Sequence, residues 1–483
     1  MPRFGFVGPG YLGLSPAPDA ERSVNLYIER VESGHGKNDW ILKGTPGRKL
    51  LTTLPSSPVR GLWGGENRLF AVGGSKLYEV FLNKAPNLLG DVGLASTPVS
   101  ISSNGNELFI VSGAQGYLAD GQTVKPVVNA VSGCFLKGVF VAAQPNSNQF
   151  NVSDPLDGST WDPLNFSTKS GSPDRLVAVF ADHELLWLMG DKTIEVWADA
   201  GLPPPGVPFQ EIQGAFIEQG LWAPASVAKI DNSLMWLGGD DRGALMVWRA
   251  LGFLPQRVSN HAMEARIRQY SNSFDAVGYP YQESGHNFYC LSFPTADATW
   301  VFDTASGAWH ERGFWDTKYA QYHADIARFH AYTMGIHFVG DYRNGNIYIQ
   351  SEDIYSDNGS PIRRLRTSPH ISNEMNWARH GRLVIDMQVS QGPASGQGSV
   401  PTIGMRFSDD GGFTWSNQRQ LGGVPLKTGA GQSLAQAGVG EYKYRYVSRR
   451  LGRSRDRAYE AVISDPVGVT IVDAYTTLAP GPL

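Results

Sequence analysis

The sequence contains little cysteine, no long apolar run and no excess of positive charge. Cys134 and Cys290 are the two cysteines among 483 residues. Both lie in apolar, strand-like segments, which predicts buried thiols rather than a disulfide framework or a metal site. No apolar run is long enough to predict a membrane span. The formal net charge of -4 gives the whole molecule no basic field that would attract nucleic acid or anionic lipid.

Common enzyme motifs are also absent. The sequence has no P-loop, no H-E-x-x-H zinc motif and no G-x-S-x-G nucleophile motif. The paired carboxylates of Asp240 with Asp241 and of Asp409 with Asp410 lie among turn glycines, which favours solvated turns over a glycosidase pair. Three histidines recur every seven residues without a zinc-site pattern and are interpreted as ordinary strand or turn residues: His323, His330 and His337. We therefore predict no enzymatic activity and no catalytic, cofactor or metal site.

What the chain does contain is turn residues and aromatic residues. It has 56 glycines and 30 prolines, only 18% charged residues, and 13 tryptophans, a composition typical of an all-β protein. Residues 214–255 show a repeating pattern: strands at 225–230, 234–237 and 244–249, separated by polar and glycine turns. Such an antiparallel meander cannot bury both faces alone, so copies of it must pack on one another.

Similar units can be found along much of the chain. They lie at residues 59–81, 98–120, 133–166, 175–199, 214–255, 274–312 and 322–355. Their starts are about 35 to 50 residues apart, the range of four-stranded propeller blades. We predict an all-β fold in which residues 59–355 form a β-propeller of six or seven blades. An irregular β-sandwich with coincidental turn spacing is the alternative.

The remaining segments predict three further parts. Residues 1–58 are expected to form an extended N-terminal arm that could dock on a neighbour, followed by strands, one of which could close the propeller. Residues 356–375 are interpreted as a linker with a basic cluster. Period-two alternation predicts a β-sandwich-like C-terminal domain over residues 376–483. Two Gly/Ser/Gln-rich stretches within it, 391–399 and 429–440, are predicted to be long exposed loops.

Two stretches match the Asp-box turn pattern S-x-D-x-G-x-x-W, one closely and one loosely. In such a turn the aspartate accepts backbone hydrogen bonds, a glycine takes a positive φ and the tryptophan packs beneath. Sialidases carry several of these boxes, but they also need an arginine cluster and a Tyr/Glu pair at the propeller centre, which we do not find in the sequence. We therefore interpret the boxes as structural: Ser408, Asp410, Gly412 and Trp415 in the first, and Ser153, Asp157 and Trp161 in the second.

Near the C-terminus, arginines are concentrated in the stretch YRYVSRRLGRSRDRAYE. They could contact an acidic partner surface or DNA phosphate. Alternatively, they belong to a solvated loop and strand and pair with Asp456, Glu460 and neighbouring residues. The candidate basic contact surface consists of Arg445, Arg449, Arg450, Arg453, Arg455 and Arg457.

Several short motifs spread over nearly the whole chain suggest a family. They are Asn25-Leu26-Tyr27 with Thr45-Pro46-Gly47, residues 152–161, residues 217–224 leading into 233–237, and residues 449–457 with Ser464-Asp465-Pro466. Together they resemble short-tailed bacteriophage structural proteins of the packaged-DNA stabilisation, or tail-hub (nozzle), family. This resemblance supplies no catalytic residue, and motifs this short transfer no individual interface position.

The resemblance implies a structural virion protein of the phage tail, assembled in the host cytoplasm. It implies a homo-hexameric ring below the portal and adaptor ring, which retains packaged DNA, guides its ejection through a channel and anchors tail fibre or tailspike proteins. A rigid propeller and an acidic chain suit a conduit that does not grip DNA. Two other functions stay open: a carbohydrate-binding or sialidase-like propeller for receptor recognition, and a cellular protein-interaction propeller.

Overall fold

The computed structural model describes residues 4–11, 13–33, 35–202, 205–239, 243–374, 376–390, 395–425 and 443–480. Within these ranges nearly all of the regular secondary structure is β-strand. It divides into two compact units. The propeller unit comprises Leu50–Asp297 and Ile326–Gln350, and the terminal unit comprises Met1–Lys49, Ala298–Asp325 and Ser351–Leu483.

The propeller unit is a succession of small antiparallel sheets. Four of them are four-stranded meanders, and a fifth sheet has five strands. Their strands are Val59–Gly65, Arg68–Gly73, Lys76–Val80 and Asn87–Asp91; Ser100–Ser103, Leu108–Ser112, Gln115–Ala119 and Val124–Asn129; Ser132–Leu136, Val139–Ala143, Gln149–Val152 and Phe166–Thr168; Leu176–Asp182, Leu185–Gly190, Ile194–Asp199 and Phe209–Ile217; and Gly220–Leu221, Ala228–Ile230, Ser233–Gly239, Leu245–Leu251 and Leu254–Arg257.

Two further strand groups complete this unit. The first is the hairpin Val277–Glu283 with His286–Phe293, and the second is the meander Ala327–Thr333, Ile336–Asp341 and Asn346–Ser351. The N-terminal strand Gly47–Thr53 lies beside Asn346–Ser351 in the same sheet. There, the Leu54 amide donates to the Gly345 carbonyl over 2.8 Å. An early segment of the chain therefore completes the last sheet of the unit.

Several middle strands of the propeller sheets are buried along their whole length. All residues of Leu108–Ser112, Val139–Ala143 and Ser233–Gly239 are buried. Hydrophobic clusters lie between each pair of successive sheets from the first to the fifth. One more cluster joins the first sheet to the last, and it includes Val59 and Phe338. The sheets thus close into a ring, which makes the fold a β-propeller.

A short α-helix, His261–Gln269, interrupts the β-structure of the propeller unit. Asn260 caps it by accepting a hydrogen bond from the Met263 amide, and the helix buries its own Ile267. No unit is predicted at residues 261–269, which lie between the units at 214–255 and 274–312. A single two-turn apolar pattern in a long stretch of turn residues is a weak sequence signal.

The terminal unit contains two main sheets. The first, in spatial order, consists of Ala298–Asp303, Ala308–Glu311, Ser23–Val24, Arg364–Thr367, Asp456–Ile463, Thr402–Ser408 and Arg419–Gly422, with Ile371–Ser372 on Asp456–Ile463. The second consists of Leu26–Arg30, Trp40–Gly44, Val469–Pro480, Ala378–Val389, Lys443–Arg449 and Val424–Pro425, with Arg453–Ser454 on Ala378–Val389. The small strands Gly313–Asp316, Gln321–Ala324, Ser356–Asp357 and Ser360–Pro361 complete the unit.

Both terminal sheets contribute to one hydrophobic core. Ile403 and Tyr459 come from the first sheet, and Ile385 and Ile471 from the second. The N-terminal segment belongs to this core as well, since Phe6 is fully buried in it. The Phe6 carbonyl accepts a 2.8 Å hydrogen bond from Nε of Arg366. This part of the predicted arm is therefore fixed to its own chain.

Two of the predicted linear boundaries are corrected by the structure. Residues 298–325 pack with the terminal unit rather than with the propeller unit, because Val24 pairs with Glu311 in a parallel ladder. The segment 356–375 is not a linker, because Arg364–Thr367 is a buried strand of the first terminal sheet.

Some predictions fall on residues that the structure does not describe. These are residues 391–394 of the predicted loop at 391–399, the whole predicted loop at 429–440, and Asp240 with Asp241. No helix in the described ranges is long and apolar enough to cross a membrane.

We predict that replacing Leu237 with alanine destabilises the propeller unit strongly. Leu237 is fully buried in Ser233–Gly239, and a buried Leu→Ala substitution costs about 2–5 kcal/mol of unfolding free energy. The matched control is Leu254→Ala in the same sheet, where the side chain is 74% exposed and the expected change is within about 0.5 kcal/mol. Urea unfolding followed by circular dichroism measures both, and equal losses would contradict this packing.

Candidate functional site

A central cavity of about 460 Å³ lies within the propeller unit. One segment of each of the seven strand groups contributes to its wall. The wall consists of serines and apolar residues and includes Ser100, Ser132, Ala178, Val277 and Phe329. Neither a carboxylate nor an arginine or lysine is among the residues that line it. In the described part of the chain, this cavity therefore offers neither an acid–base pair nor a cluster of guanidinium groups for a substrate carboxylate.

A second, more open cavity of about 750 Å³ shares Trp63 with the first. It contains carboxylates, but Asp231 pairs with Arg249 at 2.7 Å. Its Lys229 pairs with Asp182 at 2.6 Å. No arginine lines this cavity, so neither cavity provides the arginine cluster that a sialidase-like propeller needs.

The histidines do not form a metal site with other residues. Nε2 of His330 and Nδ1 of His337 lie 2.9 Å apart on adjacent strands, and burial is the main cause that lowers the pKa of both. They thus share a hydrogen bond as neutral rings. His323 lies in the separate strand Gln321–Ala324 of the terminal unit. Among the described residues, no group of histidine, cysteine and carboxylate side chains has metal-binding geometry.

The first Asp-box forms a turn at the end of Thr402–Ser408 in the terminal unit. Oδ1 and Oδ2 of Asp410 accept from the Thr414 amide over 2.9 and 3.0 Å, and Gly412 has a φ of +93°. The Gly412 amide donates to Oγ of Ser408 over 2.8 Å. Hydrogen bonds, first among them that from the Thr414 hydroxyl, lower the pKa of Asp410 to about 2. The guanidinium group of Arg406 lies 5.0 Å from the Trp415 ring.

The looser box lies between Gln149–Val152 and Phe166–Thr168 in the propeller unit. Asp157 accepts from the Ser159 amide over 2.8 Å, and Oγ of Ser153 accepts from the Phe140 amide over 3.0 Å. The Trp161 ring lies 5.5 Å from that of Phe109. In both boxes the aspartate is engaged in holding its own turn.

The arginine run divides into structural and exposed members. Arg457 is only 1% exposed, and its Nε and Nη2 donate to the Asp409 carboxylate over 2.5 and 2.7 Å. The prediction that Arg457 is part of a contact surface was therefore wrong, because its side chain points into the unit and binds a carboxylate there. Arg445 pairs with Asp386 at 2.9 Å and is partly exposed.

The other four arginines of the run are exposed and are joined by residues from a distant part of the sequence. Arg379 lies opposite Arg453, and Arg382 lies opposite Arg449, on neighbouring strands. The guanidinium groups of Arg453 and Arg455 lie 4.8 and 5.1 Å from the Trp377 ring. We call this group the arginine surface: Arg379, Arg382, Arg449, Arg450, Arg453 and Arg455. Apart from Arg382, none of these side chains forms an ion pair with a carboxylate of the described chain.

Three residues at or beside the arginine surface could not be assigned to it from the sequence: Trp377, Arg379 and Arg382. They precede the arginine run by about seventy residues, and only the pairing of Ala378–Val389 with Lys443–Arg449 and Arg453–Ser454 brings them together. The sequence signal for them was the alternation of apolar and polar residues in Ala378–Val389, which indicates a strand with one exposed face. It could not reveal which strand would lie alongside.

Comparison with known families identifies the chain. Residues 21–355 match the model of the packaged-DNA stabilisation family described as "Bacteriophage P22 Gp10, beta-propeller". The chain belongs to the P22 Gp10 propeller family. Members of the P22 Gp10 family are bacteriophage structural proteins, which makes this chain a phage structural protein. The absence of enzymatic activity stays a prediction.

Other comparisons add nothing to this assignment to the P22 Gp10 family. The search of curated proteins gives no match. Among solved structures, the chain is similar to the N-terminal domain of Nup159, with 10% identity and a TM-score of 0.37 over 68% of this chain and 98% of that chain. It is also similar to BamB from Moraxella catarrhalis (9%, 0.36, 63% and 97%) and to PorZ from Porphyromonas gingivalis (13%, 0.35, 69% and 44%). TM-scores this low carry no functional argument.

We predict that substitution of Arg457 lowers the unfolding free energy of this P22 Gp10 family member much more than substitution of a nearby exposed arginine does. Arg457→Gln leaves Asp409 without its partner and should cost about 2–3 kcal/mol, since hydrogen bonds to charged groups contribute about 1.5–3 kcal/mol and Asp409 is partly exposed. Arg449→Gln, on the exposed surface, should change the unfolding free energy by less than about 0.5 kcal/mol. Similar losses in urea unfolding would show that Arg457 is not a structural residue.

We also predict a pH dependence that arises from His380. Its ring is buried between Ser454 and Tyr459, and burial lowers its pKa to about 4, from an ordinary value of about 6.5. Below pH 6.5 the unfolded chain binds a proton that the folded chain does not, so this contribution to stability falls as the pH drops towards 4, by at most about 1.4 kcal/mol per pH unit. Urea midpoints at pH 7 and pH 5 should therefore differ more for the wild type than for His380→Gln; equal differences would contradict the assignment.

Proposed function

We propose that this phage structural protein is the tail hub, or nozzle, of a short-tailed virion. It forms a ring of six below the portal and adaptor, retains packaged DNA, guides its ejection and anchors tail fibre or tailspike proteins. Its place is the virion tail, and it assembles in the host cytoplasm. The observation that carries the proposal is the family match over residues 21–355.

The geometry of the propeller unit supports a passive structural role. The central cavity of about 460 Å³ is the size of a small-molecule pocket and far too small for duplex DNA. A conduit must therefore run between copies of the chain, which requires a ring. A closed propeller buried on both faces of its sheets provides a rigid wall for such a ring.

The arginine surface provides the electrostatic part of the proposal. Five of its six guanidinium groups have no carboxylate partner in the described chain, although the whole chain carries a net charge of -4. At physiological ionic strength a charge is screened beyond about 8 Å, so this local charge acts on a surface in contact rather than at a distance. We propose that it contacts either an acidic face of a neighbouring tail protein or DNA phosphate.

The test of the ring is the mass of the purified protein, alone and with a portal complex, by light scattering coupled to size exclusion. We expect six copies to join the portal complex. A protein that stays monomeric and ignores the portal would contradict the tail-hub proposal.

The arginine surface is tested with a fourfold variant in which Arg449, Arg450, Arg453 and Arg455 become glutamine. We expect its attachment to the portal complex, or to duplex DNA, to weaken at least tenfold and to lose its dependence on salt. The control carries the same change of charge elsewhere: Arg30→Gln, Lys49→Gln, Lys125→Gln and Arg419→Gln, all at exposed positions. Equal weakening by both variants would show that only net charge matters.

A further inference from the structure

A pocket of about 550 Å³ in the terminal unit is not used by the proposed function. Five separate segments form its wall. They are the N-terminal segment with Arg22, the hairpin with Trp315 and Tyr322, the strand region of Arg363, the strand of Arg406 with the following Asp-box turn and Trp415, and Glu460. The turn that the Asp-box holds is therefore one side of this pocket.

Each of the three arginines in the wall lies against an aromatic ring. The guanidinium carbon of Arg363 lies 4.1 Å from the centre of the Trp315 ring. That of Arg406 lies 5.0 Å from the Trp415 ring, and that of Arg22 lies 5.6 Å from the Tyr322 ring. The N–H groups of a guanidinium lie in its plane. Stacking on a ring therefore leaves them at the edge of the stack, where they can donate to a bidentate acceptor.

Hydrogen bonds within the pocket leave some of these N–H groups without acceptors. Arg22 uses Nε and Nη2 on the Glu311 carboxylate, and Arg406 uses Nε on Glu460 over 2.5 Å. The two Nη groups of Arg406 have no acceptor among the described residues. Nε of Arg363 is buried without a hydrogen bond, and Arg363 has no carboxylate partner in the described chain. A buried donor without an acceptor is unfavourable, and it leaves the positive charge of Arg363 without a hydrogen-bonded anion.

The balance of charge indicates which acceptor fits. Glu311 neutralises Arg22 and Glu460 neutralises Arg406, so Arg363 alone carries an uncompensated charge. A single negative charge satisfies it. A phosphate dianion or a DNA backbone would bring further negative charge close to Glu460, which is 5% exposed and itself charged.

We propose that this pocket binds the carboxylate of an acidic side chain of a partner protein. The carboxylate accepts from Arg363 and from the free Nη groups of Arg406, and the aliphatic part of the side chain lies between Trp315 and Trp415. A volume of about 550 Å³ accommodates a few residues of a peptide. The proposal is independent of the ring of six, because it depends only on contacts within one terminal unit.

The experiment is a titration of the full-length protein with N-acetyl-glutamate in the form of its α-amide, whose side-chain carboxylate is then its only charge, with the neutral isostere N-acetyl-glutamine α-amide, and with inorganic phosphate. Binding is followed by calorimetry and by the Nε–Hε resonance of Arg363 in protein labelled with ¹⁵N-arginine. We expect N-acetyl-glutamate to shift this resonance and to bind at least tenfold more tightly than the other two ligands. Equal binding of glutamate and glutamine, tighter binding of phosphate, or no shift would each overturn the proposal.

Substitutions separate the pocket from general charge effects. Arg363→Gln should abolish binding, and Arg363→Lys, which keeps the charge but loses the planar fork, should weaken it at least tenfold. The matched control is Arg30→Gln, since Arg30 is an exposed arginine of the same terminal unit but does not line the pocket. Loss of binding in the control would overturn the proposal, as would full binding by Arg363→Gln. Arg363→Lys keeps the test valid if the glutamine variant does not fold.

Discussion

The first four propeller sheets each bury two apolar faces, and this constraint determines most of the structure. A strand such as Ser233–Gly239, buried along its whole length, cannot exist at the surface of an isolated meander. Each sheet therefore needs a neighbour on both sides, and only a closed ring gives every sheet two neighbours. The cluster that joins Val59 to Phe338 is the point at which the ring closes. The strand Gly47–Thr53 then covers the edge that the last sheet would otherwise expose.

The repeating pattern made the all-β propeller fold predictable from the sequence. Short strands bounded by glycine and asparagine turns were located to within a few residues, as at Ser233–Gly239 and Leu245–Leu251. Fourth strands such as Asn87–Asp91 were missed, because their residues are mostly exposed and lack apolar alternation. The segment 356–375 was misinterpreted for a different physical reason. Arginine and turn residues usually indicate solvent, whereas Arg364 and Arg366 are buried in a strand.

Side-chain environments were less predictable than strands. The Asp-box pattern describes a local turn, so its hydrogen bonds could be anticipated from the spacing of Ser408, Asp410 and Gly412 alone. The arginine run could not be divided in the same way. Arg453 and Arg457 are four residues apart and chemically identical, yet the first lies over Trp377 at the surface, whereas the second is buried and binds Asp409. That difference depends on strand pairing between distant segments, which one sequence does not reveal.

The closing strand also has a consequence for the order of events during synthesis. The Thr53 hydroxyl donates to Asn346, which is 293 residues away in the sequence. The strand Gly47–Thr53 can therefore pair in the last sheet only after nearly all of the propeller has been synthesised. Contacts between such distant residues slow folding, because the entropy of a long loop is lost before the contact forms. A ribosome that stops before residue 346 releases an open stack with apolar edges. Completion of the chain thus acts as a checkpoint, and an unfinished product is a natural substrate for chaperones and proteases.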